Sequence, residues 1–231
     1  MTNPVTSPSA EKKPQRRPKA VKREEMRNQI LDAAEYLFSQ RGYFGVTLKE
    51  IAQGASTHAS LVHYYFEDKK RLFDEMVLRR VPAINESRMA AMDEYERAVG
   101  ANITVEGALH AFLDPNLDAY SVGDEWKYFG AISAMVNNTP EWGAKVMDDY
   151  FDGVVYRLME LLRKALPSAS NADLFWCYHF LTGALTLTLA RTGRIDRLSE
   201  GTCDSSDFEA VKSRMARFMA AGFKELCGPG S

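Results

Sequence analysis

The twenty residues from Thr47 to Phe66, TLKEIAQGASTHASLVHYYF, carry side chains whose types and spacing suit holding a nucleic-acid backbone and reading a base edge. Thr47-Leu48-Lys49-Glu50 has the form of a capping box, in which a threonine hydroxyl covers an N–H one turn on and a glutamate reaches back to the cap. It predicts a helix from Thr47. Leu48, Ile51, Ala52 and Ala55 fall at i, i+3, i+4 and i+7, one inward stripe, with Ala52 small where a second helix crosses. After a turn at Ser56-Thr57, a second helix from about His58 buries Leu61 or Val62 together with Tyr65-Phe66. Ala59, Ser60, His63 and Tyr64 then face outward, and the short side chains at the start of this helix let its unpaired N–H groups approach a phosphate. Asp68 caps a further helix that opens on Lys69-Lys70-Arg71; cations at the positive end of a helix dipole call for an outside anion, which a phosphate would supply. An ordinary helical hairpin with tyrosine and histidine in its core, and a solvated cationic face, are the plain alternatives.

Other chemistry is thinly represented. Asp148, Asp149 and Asp152 cluster acids on one helical stretch, as an all-α metal-dependent hydrolase would, yet no HExxH, ExxH or glycine-rich phosphate loop accompanies them, and a solvated face explains them more simply. No enzyme is expected, and no metal or cofactor. Cys177, Cys203 and Cys227 are odd in number and lack CxxC spacing, which fits reduced thiols; Cys203, in a polar stretch, is the best placed for redox sensing.

The elements that must position the Thr47–Phe66 pair lie on either side of it. Upstream, Glu24 to Gln40 is amphipathic through Ile30, Ala33, Ala34, Leu37 and Phe38, and Arg41-Gly42 ends it with a glycine fit for the left-handed position after a helix. Downstream, Lys69 to Val99 reads as one long helix or two pieces, because Pro82 removes a backbone donor. Taken in order, residues 24 to 73 resemble the tetracycline-repressor-like (TetR) family of transcription regulators, through ILDAAEYLFSQRGY, VTLKEIA, HYYF and EDKKRLF. The resemblance implies DNA contacts at Thr47 and Lys49, at His58, Ala59, Ser60 and Leu61, at His63, Tyr64 and Tyr65, and at Lys69. Two positions depart from the family's turn, with Ser56 where glycine is common and Thr57 where valine is. A positive φ at Ser56 would cost about 1 kcal/mol relative to glycine.

The remainder of the chain reads as all-α. The 231 residues are 45% apolar and 26% charged, which is globular, and no run of eighteen apolar residues or secretory signal is present, so no membrane partner and a cytoplasmic location are expected. Residues 1 to 71 hold thirteen Lys/Arg against eight Asp/Glu, while the rest hold sixteen against twenty-three. Most of the excess lies in EKKPQRRPKAVKR, residues 11 to 23, which cannot bury an apolar face; it serves either as a minor-groove arm or as a solubilising tail. The expected organisation is a disordered basic arm over 1–21, a three-helix bundle with the helix-turn-helix over 22–67, and a larger helical domain for ligand binding and dimerisation over 68–228, about nine helices in all. Thr104, Ser121-x-x-Asp124, Thr139-Pro140, Ser170-x-x-Asp173 and Ser206-x-x-Glu209 mark the later helix starts.

In TetR-like proteins the last two helices pair with their copies across a twofold axis. The resemblance therefore assigns a homodimer interface to the stripes Leu174, Leu181, Leu185 and Phe208, Val211, Met215, Phe218. Between head and dimer helices, aromatic and thioether side chains exceed what a small core requires. Phe112, Trp126, Phe129, Met135, Trp142, Phe151, Tyr178 and His179 are the candidate lining of an effector site, and WCYHFLTGALTLTLARTGRID is similar to family members that answer fatty-acyl or other lipophilic compounds. The implied function is a regulator, in the first instance a repressor, released from a palindromic operator in double-stranded DNA by a small apolar or aromatic effector. A constitutive DNA-coating dimer of the same fold is the alternative.

Overall fold

The computed structural model describes residues 19–140 and 142–228, leaving aside the side chains at 124, 125, 142 and 144. The described residues form ten helices: α1 (Lys19–Arg41), α2 (Leu48–Gly54), α3 (Ala59–Phe66), α4 (Lys69–Val99), α5 (Val105–Val122), α6 (Asp124–Asn137), α7 (Trp142–Ala165), α8 (Asn171–Ala190), α9 (Arg194–Leu198) and α10 (Phe208–Cys227). The helix beyond the expected nine is α9, whose five residues are too few to show a period. None of the described helices is long and apolar enough to cross a membrane.

Local chemistry starts most of these helices. Thr47, Asp68, Thr104 and Ser170 each accept a hydrogen bond from the backbone N–H three residues on, as their positions predict. Three expected caps fall elsewhere: the Thr139 hydroxyl donates to the Met135 carbonyl, and α7 starts only at Trp142. Ser121 lies inside α5 and donates to the Asp118 carbonyl, so α6 starts after Gly123 without a side-chain cap. Ser206 is occupied with Asp204, and its neighbour Asp207 caps α10. Helix α1 begins at Lys19, five residues before the expected Glu24, so the last residues of the presumed arm are helical; the arm over residues 1–18 lies outside the described residues. Pro82 does not divide α4, whose 31 residues run past it with the proline on the exposed face.

Two layers result. In the head, α1 packs on α2, and α2 on α3; behind them, α5 sits in the middle of the larger domain against α4, α6, α7 and α10. The head rests on α4 and α6 through α1. Gly42 is required at that junction, because its φ of +74° is left-handed and the sulfur of Met135 on α6 lies 2.9 Å from where a Cβ would stand.

The turn between α2 and α3 holds the helix pair in register. Thr57 donates from its N–H to the Ala52 carbonyl (2.8 Å) and Ser56 to that of Gln53 (3.0 Å), with Ser56 at φ 52°. That closure satisfies the last carbonyls of α2, but a serine bears a steric cost there that glycine does not. Ser56→Gly is expected to raise stability by about 1 kcal/mol, a melting temperature higher by roughly 2 to 4 °C for a chain of this size. An unchanged or lower melting temperature in differential scanning calorimetry would mean that the turn is relaxed with serine in place.

Candidate nucleic-acid interface and internal cavity

Helix α3 is anchored by Val62 and Phe66, both buried, with Leu61 and Tyr65 half-buried beside them. This leaves His58, Ser60, His63 and Tyr64 on the outside, and Tyr64 is 67% exposed. Ala59 packs partly against the core. The His63 ring nitrogen Nδ1 lies 2.8 Å from the Glu67 carbonyl, which can only accept, so Nδ1 carries a proton and Nε2 is left for an outside partner. The guanidinium of Arg23 sits 5.8 Å from the Tyr64 ring centre and 6.0 Å from that of Tyr65. The cationic start of α1, with Lys19 and Lys22 also exposed, therefore lies beside the outer face of α3.

The other candidates on the head divide into free and engaged. Lys49 is exposed on α2. Thr47 is exposed but spends its hydroxyl within the capping box, where it accepts from the Glu50 N–H and donates to the Glu50 carboxylate at 2.7 Å. Glu50 in turn accepts from Arg41 at 2.8 Å. The Thr47 hydroxyl first, and then Arg41, hold the Glu50 carboxyl down to about 2. Lys69 is half-buried, and its ammonium donates to the carbonyls of Tyr43 (2.9 Å) and Val46 (3.0 Å) above the Tyr43 ring. It ties α4 to the loop before α2, where the sequence placed it against a phosphate; two of its three donors are already used.

Head and larger domain are joined by ion pairs between α1 and α4. Glu35, only 1% exposed, accepts from both Arg79 and Arg80, and Arg79 also reaches Asp32 at 2.6 Å. One turn apart on the same side, Glu75 accepts from Arg27 and Arg71.

Deeper in the larger domain, a cavity of about 50 Å³ lies among α4, α5, α6, α7 and α8. Of the eight candidate lining residues, Phe112, Phe151 and Tyr178 border it. The others do not. Met135 lines a different space of about 130 Å³ beside Gly42 and Phe73. Trp126 stacks under Arg80, and Phe129 is buried against Trp126. His179 points outward between Trp176 and Phe180. The side chain of Trp142 lies outside the described residues.

Two polar residues that the sequence reading passed over, Arg88 and Asn116, do border the cavity. Arg88 is 5% exposed, its guanidinium 4.3 Å above the Phe112 ring, and its Nε has no hydrogen-bond partner; Asn116 Oδ1 has none either. Burial pulls the Arg88 pKa down, and burial pushes the neighbouring Tyr120 hydroxyl up to about 12, so that phenol is neutral. A signal for Arg88 was present: it interrupts the stripe Val77, Val81, Ile84, Met92 with a charge. Asp148 and Asp149 are exposed, and among the described residues no three His, Cys, Asp or Glu side chains gather as a metal site.

At the far end, Leu174, Leu181 and Phe208 are corrected: each is buried within the chain and has no surface to offer a partner. Leu185, Val211 and Met215 are half-buried, and Phe218 is 74% exposed. The outward face of α8 is instead made by Trp176, Phe180 and Leu187. The periodicity could not choose between these faces, since α8 is apolar all round and one 100° stripe is as good as another. Between α8 and α10, Ala184, Thr188, Val211, Met215 and Phe218 line an open groove of about 1130 Å³.

Two models of one family match this chain. The bacterial regulatory proteins of the tetR family match residues 30–76, and the tetracyclin repressor-like C-terminal domain matches residues 110–222. The HTH-type transcriptional regulator HbdR of Aromatoleum sp. (strain CIB) is 34% identical over 93 residues, 40% of this chain and 34% of that protein, so the match spans about a third of the relative. Among solved structures, HlyIIR, a hemolysin II transcriptional regulator, superposes with a TM-score of 0.57 at 19% identity over 85% of this chain and 97% of its own. A TetR-like regulator from Rhodococcus sp. RHA1 does so at 0.58 and 19% identity, over 92% of this chain and all of its own. Identities this low speak for a common fold alone, whereas the family models reach both the helix-turn-helix and the C-terminal helices: the chain belongs to the TetR family of bacterial transcriptional regulators.

Proposed function

We propose that the chain acts in the cytoplasm as a homodimeric repressor that binds a palindromic operator and lets it go when a small molecule enters the larger domain. The observation that carries the DNA half is the outer face of α3, where Ser60, His63 and Tyr64 stand free beside Arg23 and the other cations of α1. A helix with a polar, exposed flank and a basic neighbour fits a major groove, with phosphates held by the cations and base edges met by the short side chains and His63 Nε2. The dimer half rests on Trp176, Phe180, Leu187 and Phe218, large apolar side chains of α8 and α10 that are each more than half exposed and that a second copy would cover. The cavity among α4 to α8 supports the sensing half, and an effector acts by the difference in its affinity for the operator-bound and released states.

DNA binding is tested on an operator selected from random-sequence duplexes. Lys49→Ala is expected to weaken binding on all sequences and to reduce the slope of log K against log salt by about 0.9. Lys69→Ala is expected to lower the melting temperature while leaving the slope unchanged, because its ammonium holds a loop. A slope that falls for Lys69→Ala and stays for Lys49→Ala would reverse the two roles.

Phe218→Glu, at an exposed position that the folded protomer tolerates, is expected to give monomers in multi-angle light scattering and to lose the palindromic site while keeping its helical content. An undisturbed dimer would put the interface elsewhere. For the sensing half, at least one member of a broad panel of neutral, anionic and cationic lipophilic compounds is expected to raise the melting temperature and to weaken operator binding by about 5- to 150-fold. If no compound moves either quantity, the regulator is constitutive.

A further inference from the structure

Arg88 is a full positive charge that is almost wholly buried in a cavity wall, and no described carboxylate neutralises it. It is 5% exposed, and among the described residues no carboxylate pairs with it. Its nearest polar neighbours, Asn116, Tyr120 and Tyr178, are neutral groups. Arginine does not shed its proton in proteins, so the charge cannot be removed by titration. An unpaired buried ion is costly, and a chain that keeps one in the wall of a cavity gains only when a counter-charge arrives.

We infer that the effector is an organic monoanion, a carboxylate carried on an apolar body, whose carboxylate pairs with the Arg88 guanidinium inside this cavity. The inference rests on the sensing half of the function proposed above. Phe112 covers one face of the guanidinium at 4.3 Å, which leaves the N–H edge for a partner lying in the same plane. A carboxylate matches that fork with two parallel hydrogen bonds. Nε, now without a partner, belongs to that edge. One cation calls for one negative charge; the rest of the lining mixes apolar side chains, Met147, Phe151 and Leu185 among them, with the neutral polar groups of Ser133, Asn137, Thr182 and Thr186, and holds no second charge, which suits a hydrocarbon or aromatic body. The size of the space adds a condition. About 50 Å³ takes a carboxylate and a few water-sized groups, but not a chain of several carbons, so the body of the ligand has to part α7 and α8 from α4 as it enters.

The test measures thermal shifts and binding constants of the full-length protein with matched probes: octanoate, octanol and octylamine for an aliphatic body, and 4-phenylbutyrate with 4-phenylbutanol for an aromatic one. Wild type is expected to bind at least one of the two acids at least tenfold more tightly than the matching alcohol, and the amine not at all. Arg88→Met is expected to erase the preference for the acid, to leave alcohol binding unchanged, and to match or exceed the wild-type melting temperature without ligand, since a buried unpaired charge has been replaced by an apolar chain. Arg88→Lys keeps the charge without the fork and is expected to fall between them. Equal binding of acid and alcohol by wild type, or acid binding that survives Arg88→Met, overturns the inference, as does failure of both acids to bind. Operator release, followed in the same samples by fluorescence anisotropy, separates the two levels. Release by alcohols and not acids would leave a sensor with a neutral effector; acids that bind through Arg88 and release no operator would leave the anion site standing and remove the sensing role.

Discussion

The carboxylate of Glu35 is the point on which the arrangement of head and larger domain depends. It lies at 1% exposure between α1 and α4 and accepts from two guanidinium groups of successive residues, Arg79 and Arg80. A single buried ion pair is poor evidence for stability, because desolvation offsets its attraction. Its value here is geometric. Two forks on one carboxylate admit few relative positions of the helices, and Arg27–Glu75–Arg71 one turn up and Lys69 on the Tyr43 and Val46 carbonyls repeat the restraint toward the start of α4. Residues 69 to 80 of α4 thus move with the DNA-reading helices as one body, although they belong in sequence to the helix that runs into the larger domain.

That continuity sets the distance over which a signal has to travel. Arg88 stands eight residues after Arg80, about 12 Å along a helix at 1.5 Å per residue. The charge in the cavity wall and the guanidinium groups that hold the Glu35 carboxylate are therefore about two turns apart on one continuous helix. For the sensing role proposed above, no chain of side-chain rearrangements would be needed between them, only a tilt or slide of α4 against α5 and α7. In the proposed dimer, whose two heads would have to fit groove faces about 34 to 36 Å apart, a small rotation of each α4 would change that separation at the far ends.

How much of this was legible in the sequence depends on whether the deciding contact is local. Thr47, Asp68, Thr104 and Ser170 were legible as caps, since a cap is settled within four residues. Ser121 and Ser206 match the same pattern and fail it because a nearer partner, the Asp118 carbonyl or Asp204, takes the hydroxyl. The exposed flank of α3 was legible at Ser60, His63 and Tyr64 because Val62 and Phe66 fix its inward side. Lys69 was not, as its carbonyl partners lie 23 and 26 residues away. The cavity lining was half legible. A concentration of aromatic residues located the region, but large side chains fill cores and cavities alike, and Trp126 and Phe129 went to packing. The distinguishing mark is a charge within an apolar stripe, Arg88 between Ile84 and Met92.

Helix α8 shows why an all-apolar segment resists reading and what it gains by being so. Leu174, Leu181 and Leu189 face the core while Trp176, Phe180 and Leu187 face out, so every side of the helix is committed to burial once a partner covers the outer face. The inward residues Leu181, Leu185 and Leu189 also border the cavity, and Ala184 and Thr188 border the open groove with α10. One helix is thus the partition between the space that holds Arg88 and the outer apolar face that the proposed dimer would cover. A polar outer face would have let α8 shift independently of any partner. In the dimer proposed above, with apolar contacts on both sides and packed interiors being close to incompressible, a displacement of α8 by a ligand body would be passed to the apposed helices of the partner. Under that proposal the same entry that parts α8 from α4 would act on the head spacing twice, through the tilt of α4 within each protomer and through the angle between protomers.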